Sequence, residues 1–175
     1  IIAYRESGHL AAKLDPFGRE RPRPAELSLE NHGLSAADLD RPVHTGSLKL
    51  PGTATLREVV QILEETYCRS IGFEITHVAT DDERHWLLER VESVRGRISL
   101  SAQQKTQVLE QLLHAEEFEN FLQKRYPGDK RFSLEGSEST IALLDHLIGA
   151  LADLGVDEIV FGMAHRGRLN VLNNI

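Results

Sequence analysis

Four consecutive residues, His165-Arg166-Gly167-Arg168, place an imidazole and two guanidiniums around a glycine. That set suits a phosphate or a carboxylate, because arginine offers permanently charged, bidentate donors and histidine can hold or pass a proton near neutral pH. The competing reading is a solvated basic turn that pairs with neighbouring acids. A second stretch, Arg131-Phe132-Ser133-Leu134-Glu135-Gly136, either lines a site or is the turn that aims the next helix. His77, His85, His114 and His146 fall inside regular elements and read as structural, and His9 with only Asp15 nearby lacks metal-ligand spacing. Glu116, Glu117 and Glu119 form a charge run of the kind that covers a solvated helix face. The sequence holds no glycine-rich phosphate loop, nucleophile elbow or zinc motif.

The elements that must carry the His165 loop are readable from periodicity. Residues 139–154 put Ile141, Leu144, Ile148 and Leu151 on one helical face, with Gly155 where a C-cap belongs. Residues 157–163 are apolar on both faces, as in an interior strand of a parallel sheet. An apolar helix start follows the loop. This is a helix–strand–loop–helix unit whose loop sits at the carboxyl end of its strand, where open α/β sheets bind ligands. The sheet that such a strand needs is not in the chain.

Upstream, three segments with the Ser/Thr-x-x-Glu/Gln pattern of a capping box open helices: Thr55 to Glu58, Thr80 to Glu83 and Ser101 to Gln104. The first helix carries Leu56, Val59, Val60, Leu63 and Tyr67 and is stopped by Gly72; the second carries Trp86, Leu87 and Val91. The third runs from Val108 through Leu122 to Pro127-Gly128, with a break expected near Ala115. Residues 73–78 read as a strand or extended segment. Residues 1–14 read as the end of a helix stopped by Pro16 and Gly18. Five of the six prolines (Pro16, Pro22, Pro24, Pro42, Pro51) fall in the aperiodic stretch that follows, with short helical turns expected near residues 26–29 and 34–39. The organisation is thus a helix end over 1–14, a Pro/Gly-rich connector over 15–52, a helical domain over 53–128 and the start of an α/β domain over 129–175.

A chain of 175 residues with 41% apolar and 27% charged residues can bury a core. Its 20 Lys+Arg against 27 Asp+Glu, a formal net charge of −7, argue against a nucleic-acid or anionic-membrane partner. The single Cys68 makes neither an internal disulfide nor a zinc cluster, which suits a reducing compartment. No apolar run reaches the ~20 residues of a membrane span. The start, Ile1-Ile2-Ala3-Tyr4, has no initiator Met or signal layout and reads as the middle of something longer.

Three motifs in order resemble the thiamine-diphosphate-dependent first component of 2-oxoglutarate dehydrogenase complexes. They are Tyr4-Arg5-Glu6-Ser7-Gly8-His9-Leu10-Ala11-Ala12-Lys13-Leu14-Asp15-Pro16, Lys130-Arg131-Phe132-Ser133-Leu134-Glu135-Gly136, and Phe161-Gly162-Met163-Ala164-His165-Arg166-Gly167-Arg168-Leu169-Asn170-Val171-Leu172. The resemblance implies a mainly α segment leading into the first helix–strand–helix unit of an α/β thiamine-diphosphate-binding, transketolase-like domain. It implies decarboxylation of 2-oxoglutarate on thiamine diphosphate with Mg2+, in the tricarboxylic acid cycle. The succinyl group would pass to the lipoyl arm of a dihydrolipoamide succinyltransferase. A homodimer is implied, in a bacterial cytoplasm or a mitochondrial matrix. By position, His165 matches a catalytic histidine that hydrogen-bonds a substrate oxygen or assists proton transfer, and Arg166 matches an arginine at the cofactor–substrate region. The family's Gly-Asp-Gly…Asn magnesium motif and its activating glutamate are missing, so no residue here is assigned to metal and the piece alone is expected to be inactive. Two alternatives stand beside this: a related decarboxylase that does not load lipoyl, and a helical interaction module without chemistry.

Overall fold

The computed structural model describes all residues except Glu20, Lys49, Pro51 and residues 130–132. The front of the second motif (Lys130, Arg131, Phe132) and the connector's Pro51 therefore lie outside the described residues. Two compact units form, Ile1–Ile98 and Ser99–Ile175. The described residues are mainly helical, with one small two-stranded antiparallel sheet.

In the first unit, α1 (Ile2–Ser7) tightens into a 3-10 turn over Gly8–Ala11 and ends ahead of Pro16. The connector is more ordered than its composition suggests. It holds 3-10 turns at Ala25–Leu27, Glu30–His32 and Ala36–Asp38, and strand β1 (Pro42–His44). Strand β1 pairs antiparallel with β2 (Thr53–Thr55) in the register Pro42 to Thr55, Val43 to Ala54 and His44 to Thr53. Strands of three residues are too short to show alternation, so this hairpin escaped the periodicity reading. Thr55 then caps α2 (Leu56–Tyr67): its hydroxyl accepts the Glu58 N–H at 3.3 Å, and the Glu58 carboxylate accepts the Thr55 N–H at 2.8 Å. The helix ends at Cys68, before the expected stop at Gly72. Residues 73–78 form no strand: Thr76 and His77 make a turn closed by the Val78 N–H on the Ile75 carbonyl at 3.1 Å, and Ile75 is buried. At α3 (Asp81–Ser93), the Thr80 hydroxyl donates to the Glu83 carboxylate at 2.5 Å but accepts no helix N–H, so the second box is not made. Trp86 is exposed there, with the Arg90 guanidinium 4.3 Å from its ring centre.

The core of this unit joins Tyr4, Leu27, Leu48, Val59, Leu63, Tyr67, Ile75 and Leu88. Two polar knots cross it. Arg5 grips Glu92 with Nε at 2.7 Å and a terminal nitrogen at 2.9 Å, the Tyr67 hydroxyl donates to Glu92 at 2.7 Å, and Arg5 also donates to Ser47 at 2.9 Å. Tyr4 donates to Glu64 at 2.5 Å, and Arg23 pairs with the same carboxylate. Burial alone would raise the Glu64 pKa, but the hydrogen bonds from Arg23 and Tyr4 outweigh it and hold the group below its ordinary value. The neighbouring Cys68 thiol is pushed up to about 12, first by burial and then by the Glu64 charge.

In the second unit, Ser101 and Gln104 close the third box, at 3.2 and 2.9 Å, on α4 (Ala102–Arg125). The break expected near Ala115 is absent. Ala115 has no exposed surface and lies in the core with Leu134, Ile141 and Val171, so a small residue there serves close packing and does not interrupt the helix. Helix α5 (Ser139–Asp153) ends in a Schellman motif: Gly155 takes φ +81°, its N–H reaches the Ala152 carbonyl, and the Val156 N–H reaches that of Leu151. Helix α6 spans Arg168–Asn174, and α4 packs against both α5 and α6. The strand expected over residues 157–163 does not form. A strand exists only by pairing, and no described segment lies alongside to supply the ladder.

Two outcomes follow from this packing. Gly8→Ala would set a methyl carbon 2.5 Å from Tyr67 Cβ, and is expected to lower stability by about 1–3 kcal/mol in urea unfolding. Cys68, buried and with a raised pKa, is expected to leave a thiol-disulfide reagent unreacted at pH 8 until urea unfolds the chain. Rapid native labelling would contradict the burial.

Candidate functional site

The loop that carries His165 is shaped by Gly167. This glycine is buried, takes φ +73° and precedes α6. A Cβ on it would stand 2.4 Å from Leu134 Cδ1 and 3.4 Å from Leu134 Cβ and Cγ. Only glycine tolerates both the left-handed backbone and that approach. The Arg166 guanidinium donates to the Glu135 carbonyl at 2.9 Å. Two stretches singled out in the sequence, Ser133-Leu134-Glu135-Gly136 and His165-Arg166-Gly167-Arg168, are thus brought together although some thirty residues separate them.

Behind the loop lies a buried polar knot that the sequence reading missed. Glu119 Oε1 accepts the Leu134 N–H at 3.1 Å and the Asn170 side-chain amide at 3.1 Å. Asn170, with no exposed surface, also donates to the Ala115 carbonyl at 2.9 Å and receives the Asn174 amide at 2.7 Å. Glu116 and Glu117 are exposed as expected of a charge run, but Glu119 is 7% exposed and belongs to the interior. A signal was available. Val108, Leu112, Ala115, Glu119 and Leu122 follow a 4-3-4-3 spacing, so the acid occupies a position on the apolar stripe.

His165, Arg168 and Asp157 line a cavity of about 780 Å3 otherwise walled by Ile148, Val156, Ile159, Phe161, Met163 and Leu172. Arg166 is not in that wall; it faces the 133–136 turn. His165 and Arg168 thus share the cavity lining, while Arg166 bonds the 133–136 turn. Among the described residues no group of three His, Cys, Asp or Glu side chains could hold a metal ion, and no helix is long and apolar enough to cross a membrane.

The cavity thus combines an imidazole, a guanidinium and the Asp157 carboxylate on an otherwise apolar wall. No family model matches the sequence. It is 49% identical over 176 residues to the 2-oxoglutarate dehydrogenase E1 component of Azotobacter vinelandii, covering 99% of this chain and 19% of that protein. It is 41% identical over 186 residues to the mitochondrial 2-oxoglutarate dehydrogenase of Saccharomyces cerevisiae, covering 99% and 18%. With the 2-oxoglutarate dehydrogenase E1/E2 component of Corynebacterium glutamicum the identity is 45% over 180 residues, covering 100% and 15%. The similarity runs the whole length of the chain, which spans about a fifth of the length of the first relatives it matches.

The Gly167–Leu134 approach can be tested by a double-mutant cycle. Gly167→Ala is expected to destabilise through left-handed strain of about 1–2 kcal/mol and overpacking of about 1–3 kcal/mol. Adding Leu134→Ala removes the clash and leaves the strain, so in urea unfolding the pair should cost less than the sum of the single changes. Additive costs would mean that the two residues do not press on each other.

Proposed function

We propose that the chain is part of a thiamine-diphosphate-dependent 2-oxoglutarate dehydrogenase E1 component, and that residues 129–175 begin its α/β cofactor-binding domain. The observation that carries this reading is the whole-chain identity of 41–49% to such proteins. Beside it stands a cavity whose polar lining includes His165 and Arg168.

The residues fit an acidic substrate beside an aromatic, charged cofactor. The wall offers apolar surface to a ring, and the guanidinium and imidazole suit carboxylate or diphosphate oxygens. Thiamine diphosphate, when bound, would supply the nucleophilic carbon that 2-oxo acid decarboxylation needs. His165 donates a hydrogen bond to the substrate oxygen as charge develops there, or passes it a proton. Arg166 spends one donor on the Glu135 carbonyl and presents the rest of its fork to an anionic group of the cofactor–substrate region. Arg168, on the cavity, is the further cation for a carboxylate. The magnesium ligands are supplied by residues outside the described ones, which hold no such cluster. The whole protein acts as a homodimer and hands succinyl to a lipoyl-bearing dihydrolipoamide succinyltransferase, in a bacterial cytoplasm or a mitochondrial matrix. These 175 residues by themselves are inactive.

The test uses the full-length protein, assayed for 2-oxoglutarate decarboxylation with an artificial electron acceptor, with and without thiamine diphosphate and Mg2+. Cofactor-dependent turnover is expected. His165→Ala should lower it about tenfold or more, the scale of one lost catalytic hydrogen bond, without loss of folding. Arg166→Lys should weaken cofactor or substrate binding by losing the fork. Normal turnover in His165→Ala would remove that residue from the chemistry. A folded wild type without turnover would remove the reaction and leave a helical interaction module.

A further inference from the structure

We infer that Glu119 is a positioning residue for the His165–Arg168 loop, clamping that loop to the 133–136 turn through a single carboxylate oxygen. Oε1 accepts from the Leu134 backbone and from the Asn170 side chain, so one atom on α4 fixes both the turn and the first residues of α6. The remaining contacts complete a closed brace. Asn170 bonds the Ala115 carbonyl one turn back on α4, Arg166 bonds the Glu135 carbonyl, and the Gly167 backbone rests on Leu134. Glu119 is too deeply buried to meet substrate, and its Oε2 makes no hydrogen bond among the described residues. It acts through its neighbours. A buried carboxylate needs compensating donors, and two on one oxygen from two different segments hold those segments in one register.

This rests on the reading of the His165 loop as the substrate-side loop, and the tests separate the two ideas. In the full-length enzyme, Glu119→Ala should lower kcat for 2-oxoglutarate at least tenfold at a temperature where circular dichroism shows it fully folded. Glu119→Gln keeps the Oε1 acceptor and should stay within about twofold of wild type. Hydrogen exchange gives a readout that needs no activity. In Glu119→Ala the amides of Leu134 and of residues 168–171 should exchange at least tenfold faster, while those of α5 stay unchanged. If Glu119→Ala does not fold, Asn170→Ala cuts the brace on the α6 side alone and should show the faster exchange at residues 168–171, with Leu134 unchanged, and the same loss of kcat. Faster exchange spread evenly over α5 as well, with kcat unchanged, would reduce Glu119 to a general stabiliser and overturn the proposal. So would a Glu119→Gln enzyme as impaired as Glu119→Ala. A wild-type protein without turnover would sink the functional reading, while the exchange pattern would still decide the brace.

Discussion

The second unit depends on one approach of backbone to side chain: Gly167 seated on Leu134. A methyl group more on either side would not fit at 2.4 Å, so the glycine, its left-handed φ and the position of the 133–136 turn are a single constraint. Everything that orients the candidate chemistry hangs from it. With Gly167 set against the Leu134 side chain, Arg166 reaches the Glu135 carbonyl and Asn170 reaches into α4. The polar groups buried beneath are costly unless paired, which makes the arrangement stiff: loosening the leucine contact strands Asn170 and the Leu134 N–H together.

The first unit is held by a different balance. Arg5 and Glu92 are mostly withdrawn from solvent, at 13% and 8% side-chain exposure, and taking two charges out of water costs several kcal/mol each. The two-pronged guanidinium contact and the Tyr67 hydroxyl offset that cost by satisfying the carboxylate on both oxygens. The gain lies in specificity as much as stability, since Arg5 on α1, Tyr67 on α2 and Glu92 on α3 can meet in only one docking of the three helices. The Tyr4–Glu64–Arg23 knot does the same for the connector, binding a proline-rich stretch to the helices that no apolar periodicity would have attached.

What could be read from residues alone follows the range of the interactions. Capping at Thr55 and Ser101 and the Schellman end at Gly155 are local, and their signatures lie within a few positions of each other. The β1–β2 hairpin, the burial of Glu119 and the divergence of Arg166 from His165 depend on partners 10 to 50 residues away, which no window reports. Ala115 shows the same limit from the other side. A small residue mid-helix reads as a weak point until the helices it admits are known. The motif around His165 was visible by residue type, but the cation beside it on the cavity turned out to be Arg168.

Residues 157–163 join the fold to the proposed chemistry. Their composition is that of a strand buried on both faces, yet Val160 is 85% exposed and no ladder forms. Val160, Phe161 and Met163 are costly to leave in water, at about 25 cal/mol per Å2 of apolar surface. A stretch of this kind is stable only when sheet neighbours cover it. The cavity that His165 lines is walled in part by this stretch, through Asp157, Ile159, Phe161 and Met163. Covering strands would therefore bury the apolar stretch and complete the pocket in one event, and the imidazole and guanidinium would gain their electrostatic strength from the water those strands exclude. Loop geometry is set locally by Gly167 and Leu134, whereas the dielectric around the loop depends on what covers residues 157–163.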